Sequence, residues 1–277
     1  MGEKSLLVIV NYKVAVDTLA YLDSLKILAH FDMLNVIIVD NASNANVISI
    51  LNNYIRTNEL QNVSLLLLSE NKGYFKAFQY ALASINIDQY EFIIISNNDM
   101  IIKDKDFFVK LRSNPSKSEV IAPRIISLLT NNNQNPHRER EVSCVQKVMY
   151  KLFFMNYSLA KILIVLRKWQ KHALESDRAR DVDIERRIFS AHGSFMIFHK
   201  RYFDKGGYID ADYFLFGEED SVAAICRMKK FSITYLPKLI VHHNEHRSTN
   251  SDQVTKEIYC HQKDSYLYIK NRYKGFY

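Results

Sequence analysis

Cysteine is scarce in this 277-residue chain: Cys144, Cys226 and Cys260 are an odd number without metal-ligand spacing. That excludes a disulfide-stapled secreted scaffold and points to a reduced, cytosolic setting. Glycine (7) and proline (4) are equally sparse, which argues against a loop-dominated or repeat-built fold. No uncharged apolar run approaches the roughly 18 residues of a membrane span. The N-terminal Met1-Gly2-Glu3-Lys4-Ser5 leads straight into a short apolar run with no cleavage site after it, unlike a signal peptide. The expectation is a soluble protein, or one bound at most to a membrane surface. Also missing are G-x-G-x-x-G and G-x-x-x-x-G-K-[ST], so dinucleotide-binding and P-loop readings lose their main support.

What is present is a core and a charge. Hydrophobic residues make up 48% of the chain, which excludes a disordered polymer. The length suits one large α/β domain or two small ones. A formal charge of +7 favours anionic partners: nucleic acid, acidic lipid or phosphorylated metabolites. Nucleic acid is set aside, because the basic residues are spread among helices without a recognition motif.

The first half alternates short apolar runs with amphipathic segments. Strands are predicted at Leu6–Val10, Val36–Val39, Val63–Leu68 and Phe92–Ile95, and helices near Val14–His30, Val47–Thr57 and Phe75–Ile85. Strands alternating with helices imply βαβ units and a mainly parallel sheet, with the polar strand ends on one edge. Beyond the polar stretch Ser113–Ser118, Val120–Ile126 reads as a strand pair or a bulged strand, and Thr130–Glu141 as a loop. Val145 to His172 is a basic amphipathic stretch, apolar at Val148, Leu152, Phe153, Met155, Leu159, Ile162, Leu163 and Leu166. Lys147, Lys151, Lys161, Arg167, Lys168 and Lys171 are interspersed, with Trp169 near the end. Such a helix pair suits either the interface of an anionic membrane or an ordinary insertion packed on the core. Strands follow at Ser194–Phe198, Ile233–Leu236 and Leu239–Val241, then a helical tail from Asp252 to Tyr273.

Four places carry candidate chemistry. Phe92–Ile95 runs into Ser96-Asn97-Asn98-Asp99; a carboxylate beyond a strand's carboxyl end suits a divalent cation with a substrate phosphate, and an Asx-rich turn fits the same residues. Asp40 and Asn41 end another strand, where an acid can recognise a ribose or base, or cap a helix. Glu218-Glu219-Asp220 begin a helix; the helix dipole explains one acid, and another can serve as a general base. His242-His243 close a strand and alternate in direction, so one of the two can join Asp99 in a metal site.

The ordered motifs resemble the family-2 glycosyltransferases, in particular the bacterial rhamnosyltransferase-like branch of polysaccharide assembly. The matching pieces are Val8-Ile9-Val10-Asn11-Tyr12, Val39-Asp40-Asn41-Ala42-Ser43, Asn71-Lys72-Gly73-Tyr74, Asn97-Asn98-Asp99, Gly193-Ser194-Phe195-Met196, Phe216-Gly217-Glu218-Glu219-Asp220, and Pro237 through His243 to Ser248-Thr249. The resemblance implies a GT-A fold, a Rossmann-like, mostly parallel sheet flanked by helices, with a helical insertion and a C-terminal helical tail. It implies a nucleotide-sugar-binding half (1–112), an acceptor-binding half (113–250) with the insertion at about 143–187, and a tail helix (251–277). It further implies inverting transfer of a sugar from a UDP- or dTDP-linked donor to a hydroxyl of a glycan or lipid-linked acceptor in cell-surface polysaccharide synthesis. The implied donor site is Val10, Asn11, Asp40, Asn41, Asn71, Gly73, Asn98 and Asp99, with Asp40 on the base or ribose. Asp99 and His243 would hold Mg²⁺ or Mn²⁺, and Asp220 or Glu219 would be the general base. The metal signature is Asn-Asn-Asp rather than Asp-x-Asp, so the metal would rest on fewer carboxylates. The setting implied is cytoplasmic, peripheral at the inner face of the membrane. A non-catalytic nucleotide-sugar-binding scaffold is the alternative.

Overall fold

Near-continuous apolar runs can be buried only where both faces of a sheet are covered. In the computed structural model, which describes residues 4–174, 183–245 and 255–277 (backbone alone for 166–174), β1 (Lys4–Asn11), β2 (Leu34–Asn41) and β4 (Tyr90–Asn97) meet that condition, while β3 (Val63–Leu68), at the sheet edge, is only partly buried and exposes Leu67. Successive side chains leave a strand on opposite faces. Leu6, Val8, Ile93 and Ile95 therefore join one core with Phe75 and Phe78 of α3 (Tyr74–Ala83). Leu7, Ile9, Phe92 and Ile94 join a second core with Tyr21 and Leu25 of α1 (Val16–Lys26) and Leu51 of α2 (Ala45–Thr57).

The nine strands among the described residues form one sheet in the order β3-β2-β1-β4-β8-β6-β9-β5, with β7 (Arg186–Ile188) also on β9. β1 is parallel to both β2 and β4, so the chain order reverses between them and opens a crevice at the carboxyl ends. β8 (Phe195–His199) runs antiparallel to β4 and to β6 (Val120–Ser127), and β9 (Ile233–His243) is parallel to β6. Direction alone therefore brings the end of β4, the start of β8 and the end of β9 to one edge. β5 (Met100–Ile101) closes the far side by pairing Met100 with His243.

Val120–Ser127 is a single strand, and the bulge lies on its partner: Pro123 pairs with Leu236 and Arg124 with Ile240, leaving positions 237–239 of β9 as the extra residues. The two strands expected at Ile233–Leu236 and Leu239–Val241 are instead one, β9. Pro237 lies within it, where the shifted register absorbs the missing N–H. α4 (Phe107–Arg112) and α7 (Arg201–Asp204) are too short for a periodic signal. α5 (Cys144–Phe153) and α6 (Tyr157–Leu174) form the helical pair, α8 (Glu218–Lys229) follows the acidic run, and α9 (Lys256–Arg272) is the C-terminal helix. The side chains of Leu166, Arg167, Lys168, Trp169 and Lys171, together with Ser248-Thr249 and the start of the tail at Asp252, lie outside the described residues. No helix among the described residues is long and apolar enough to cross a membrane.

Candidate active site

Side-chain amides knit the carboxyl ends of β1, β2 and β4 together. Asn11, fully buried, donates to Asp40 Oδ2 at 2.8 Å and accepts from Thr18 Oγ1 at 2.7 Å and Asn98 Nδ2 at 3.1 Å. The other oxygen of Asp40 accepts from the Ser43 N–H at 2.8 Å, so neutral donors hold both oxygens of this buried carboxylate. The α2 cap is Asn44, which accepts from the Val47 N–H. Asp40 thus closes the turn that leads to Ser43, and the helix cap lies at Asn44, beyond both Asp40 and Asn41.

Asn41 reaches the next turn, donating to Asn71 Oδ1 (2.8 Å) and the Gly73 carbonyl (3.2 Å) while accepting from the Lys72 N–H (2.9 Å). Gly73 has φ +84°, and a Cβ there would lie 2.2 Å from the Phe214 carbonyl oxygen. Glycine is required on both counts. Val10 stands in the strand beside this network, paired with Val39 and Asn97.

Asp99 follows β4 and lies against β9. Its Oδ1 is buried, receives no hydrogen bond among the described residues, and sits 3.2 Å from His243 Nε2. The proton on His243 follows from its other neighbours. Glu245 only accepts, so the Gln134 amide group that meets it is the NH₂, leaving Gln134 Oε1 to face His243 Nδ1 at 2.8 Å. Nδ1 therefore carries the hydrogen, and in the neutral ring Nε2 presents its lone pair to the Asp99 oxygen. With Nε2 protonated the two groups form an ion pair; with Nε2 bare, two acceptors face each other and a cation between them satisfies both. The residues fit a divalent ion in this respect, as half of a ligand set: among the described residues no cluster of three or more His, Cys, Asp or Glu is placed to hold a metal. His242 points away; burial, and Lys103 nearby, lower its pKa.

The acidic run at the start of α8 separates into three environments. Glu219 is half-buried and accepts from the Gly193 N–H at 3.0 Å. Burial pushes its pKa up, but His137, His192 and that N–H outweigh it and hold Glu219 below the ordinary carboxylate value. Glu218 is buried with Oε1 lacking a partner among the described residues, and burial beside the Glu219 charge lifts it to about 8. Adjacent carboxyls are thereby split into a base and a neutral acid at neutral pH. Asp220 is held by Arg138, Nη1 to Oδ1 at 2.5 Å and Nη2 to Oδ2 at 3.3 Å, and also accepts from the Tyr277 hydroxyl. That engagement leaves Glu219, rather than Asp220, facing the histidines.

Sequence reasoning missed His137, Arg138 and His192. His192 lies between the other two rings, its centroid 6.3 Å from both His137 and His243. Its Nδ1 accepts from the Ser194 N–H at 3.2 Å, and burial drops its pKa to about 4, so it is neutral. Its position directly before Gly193-Ser194 was the available signal. The loop 130–141 carried only a turn signature.

No family model matches the chain, and no curated protein matches its sequence. Solved structures match it closely in shape. GalNAc-T7 with UDP, GalNAc and Mn²⁺ has a TM-score of 0.66 at 13% identity, over 97% of this chain and 48% of that one. S. aureus TarS 1–349 in complex with UDP-GlcNAc has 0.60 at 14%, over 97% and 67%. Mannosyltransferase PcManGT from Pyrobaculum calidifontis in complex with GDP-Man and Mn²⁺ has 0.54 at 15%, over 96% and 70%. This chain spans about half the length of GalNAc-T7. At such identities the likeness is one of architecture, and the architecture is the GT-A fold of these glycosyltransferases.

Proposed function

We propose that the chain is a metal-assisted, inverting glycosyltransferase that moves a sugar from a nucleotide-sugar donor to an acceptor hydroxyl. The observation that carries this reading is the confrontation of Asp99 Oδ1 and His243 Nε2 at 3.2 Å, at the carboxyl edge of the sheet beside the crevice. The ligands named with the structural neighbours, UDP, UDP-GlcNAc and GDP-Man, two of the three complexes with Mn²⁺, support it. A UDP- or dTDP-linked sugar fits the site, with the nucleoside against the Asn11–Asp40 network and the 71–73 turn. When bound between Asp99 and His243, Mg²⁺ or Mn²⁺ would offset the charge that develops on the leaving diphosphate.

The chain's own residues supply the rest. Glu219, ionised and anchored by the Gly193 N–H, takes the proton of the acceptor hydroxyl as its oxygen bonds to the anomeric carbon on the face opposite the breaking bond to phosphate. Neutral His192 separates Glu219 from the metal pair without adding a charge between them. Asp220 positions the start of α8 through Arg138. A glycan or lipid-linked acceptor of cell-surface polysaccharide synthesis is the substrate we favour, which places the enzyme at the cytoplasmic face of the membrane.

A thermal-shift panel of UDP-, dTDP- and GDP-sugars with and without Mn²⁺ tests the reading. Stabilisation by a donor should require the metal and disappear in Asp99→Ala. A response to donor that ignores both metal and Asp99 would refute the assigned site.

A further inference from the structure

The stretch from Ser143 to Leu174 contains Lys147, Lys151, Lys161, Arg167, Lys168 and Lys171 and no Asp or Glu. One side of α5 is packed: Phe154 stacks on Tyr266 of α9 at 4.5 Å between centroids, and Phe153 meets Tyr259 at 5.9 Å. The other side is bare. Val145, Val148, Met149 and Leu152, at the i, i+3, i+4, i+7 spacing of a single helix face, are all exposed, Val145 at 73%; Met155 follows at 59%. α6 adds Ile162 at 56% and Val165 at 52%. Soluble surfaces seldom leave apolar side chains grouped like this without a partner.

Charge selects the partner. A second copy of the chain would bring exposed Lys151 and Lys161 against their own counterparts with no acid on the face to offset them, which disfavours a symmetric dimer through it. An apolar helix face flanked by lysines and lacking any acid is complementary to an anionic bilayer. Lys151 and Lys161 are exposed beside the apolar residues, with Lys161 Nζ 4.6 Å from the Tyr157 ring, whereas Lys147 is held by the Gly275 carbonyl at 2.7 Å. We propose that α5 and α6 form a docking surface for an anionic membrane. Val145, Val148, Met149 and Leu152 enter among the headgroups, and Lys151 and Lys161 meet lipid phosphates. This surface stands on its own observations and does not depend on the reaction proposed above.

The test is flotation of the full chain with vesicles of equal parts phosphatidylglycerol and phosphatidylcholine, against phosphatidylcholine alone. The chain should float with the anionic vesicles only and be released by high salt. K151Q/K161Q should weaken binding roughly thirtyfold, at about fivefold per lysine. V148S/L152S should weaken it by about tenfold or more. Both variants should keep the parent's melting temperature, because the changed side chains are exposed. Absence of flotation, equal flotation with neutral vesicles, or flotation unchanged in both variants overturns the proposal. So does a dimer in sedimentation velocity that V148S/L152S converts to monomer, since the face would then be a subunit interface.

Discussion

The two sides of the candidate site are built on opposite electrostatic plans. On the β1–β2–β4 side, amides and backbone N–H groups satisfy one another around a single carboxylate, Asp40, and no cation takes part in the hydrogen bonds that hold it. On the β8–α8 side, three consecutive acids meet Arg138, His137 and His192, and two adjacent carboxyls are driven to opposite protonation states. A neutral network suits a surface that must hold a shape, because each lost bond costs little beyond itself. A charged cluster suits a place where a proton must move, because each group sets its neighbour's acidity. Under the proposed function, the difference teaches that holding and reacting fall to separate regions of one edge.

Replacing the proposed general base tests that division most severely. Glu219→Gln should lower turnover by about 10²–10⁴-fold, measured as nucleoside diphosphate release, while donor-induced thermal stabilisation persists. Loss of donor binding instead would merge the two sides functionally. Gly73→Ala should strike the holding side hardest. The positive φ and the 2.2 Å approach to the Phe214 carbonyl forecast a loss of about 3 kcal/mol, readable as a lower urea midpoint with unchanged m.

The paired carboxylates sharpen the contrast at smaller effect. Asp220→Asn removes the charged partner of largely buried Arg138 and should cost about 2 kcal/mol. Asp40→Asn, among neutral partners, should cost about 1 kcal/mol. Urea titrations giving the reverse order would break the comparison.

Glu218 offers a pH test. Its folded pKa of about 8 stands above the ordinary 4.5. Between those values the folded chain retains a proton that the unfolded chain has released, so this group's contribution to stability is lost as pH rises through the window. Glu218→Gln should therefore raise Tm by roughly 5 °C at pH 8.5 relative to the parent and change it little at pH 4.5. Parallel Tm profiles for the two proteins would show that Glu218 is not held neutral.

Legibility follows the same divide. The strand ends were readable because apolar runs buried on both faces stop abruptly at Asn11, Asp40-Asn41 and Asn97-Asn98-Asp99, and β3 matches Val63–Leu68 to the residue. Helix positions followed from periodicity, with ends that moved by up to four residues, the first helix closing at Lys26 rather than His30. Pro237 suggested a break because a proline cannot donate to a ladder, yet the bulge opposite Pro123 accommodates it. The charged cluster was less readable. Arg138 meets Asp220 across 82 positions, and Gln134 meets His243 across 109. Nothing local in the polar loop 130–141 marks its residues as partners of a strand end formed so much later. The choice between Asp220 and Glu219 stayed open in the sequence for that reason: three adjacent acids look alike until their neighbours are known.

The chain Glu245–Gln134–His243–Asp99 has a consequence for how the proposed metal site would be encoded. Its four groups are arranged like a one-way valve: an acceptor at one end orients an amide, the amide orients a ring, and the ring delivers an electron pair to the far end. The instruction is carried by bond direction, independent of net charge. A Gln134→Met change, which alters neither the formal charge nor the approximate length of the side chain, would erase the direction and let the imidazole proton settle on either nitrogen.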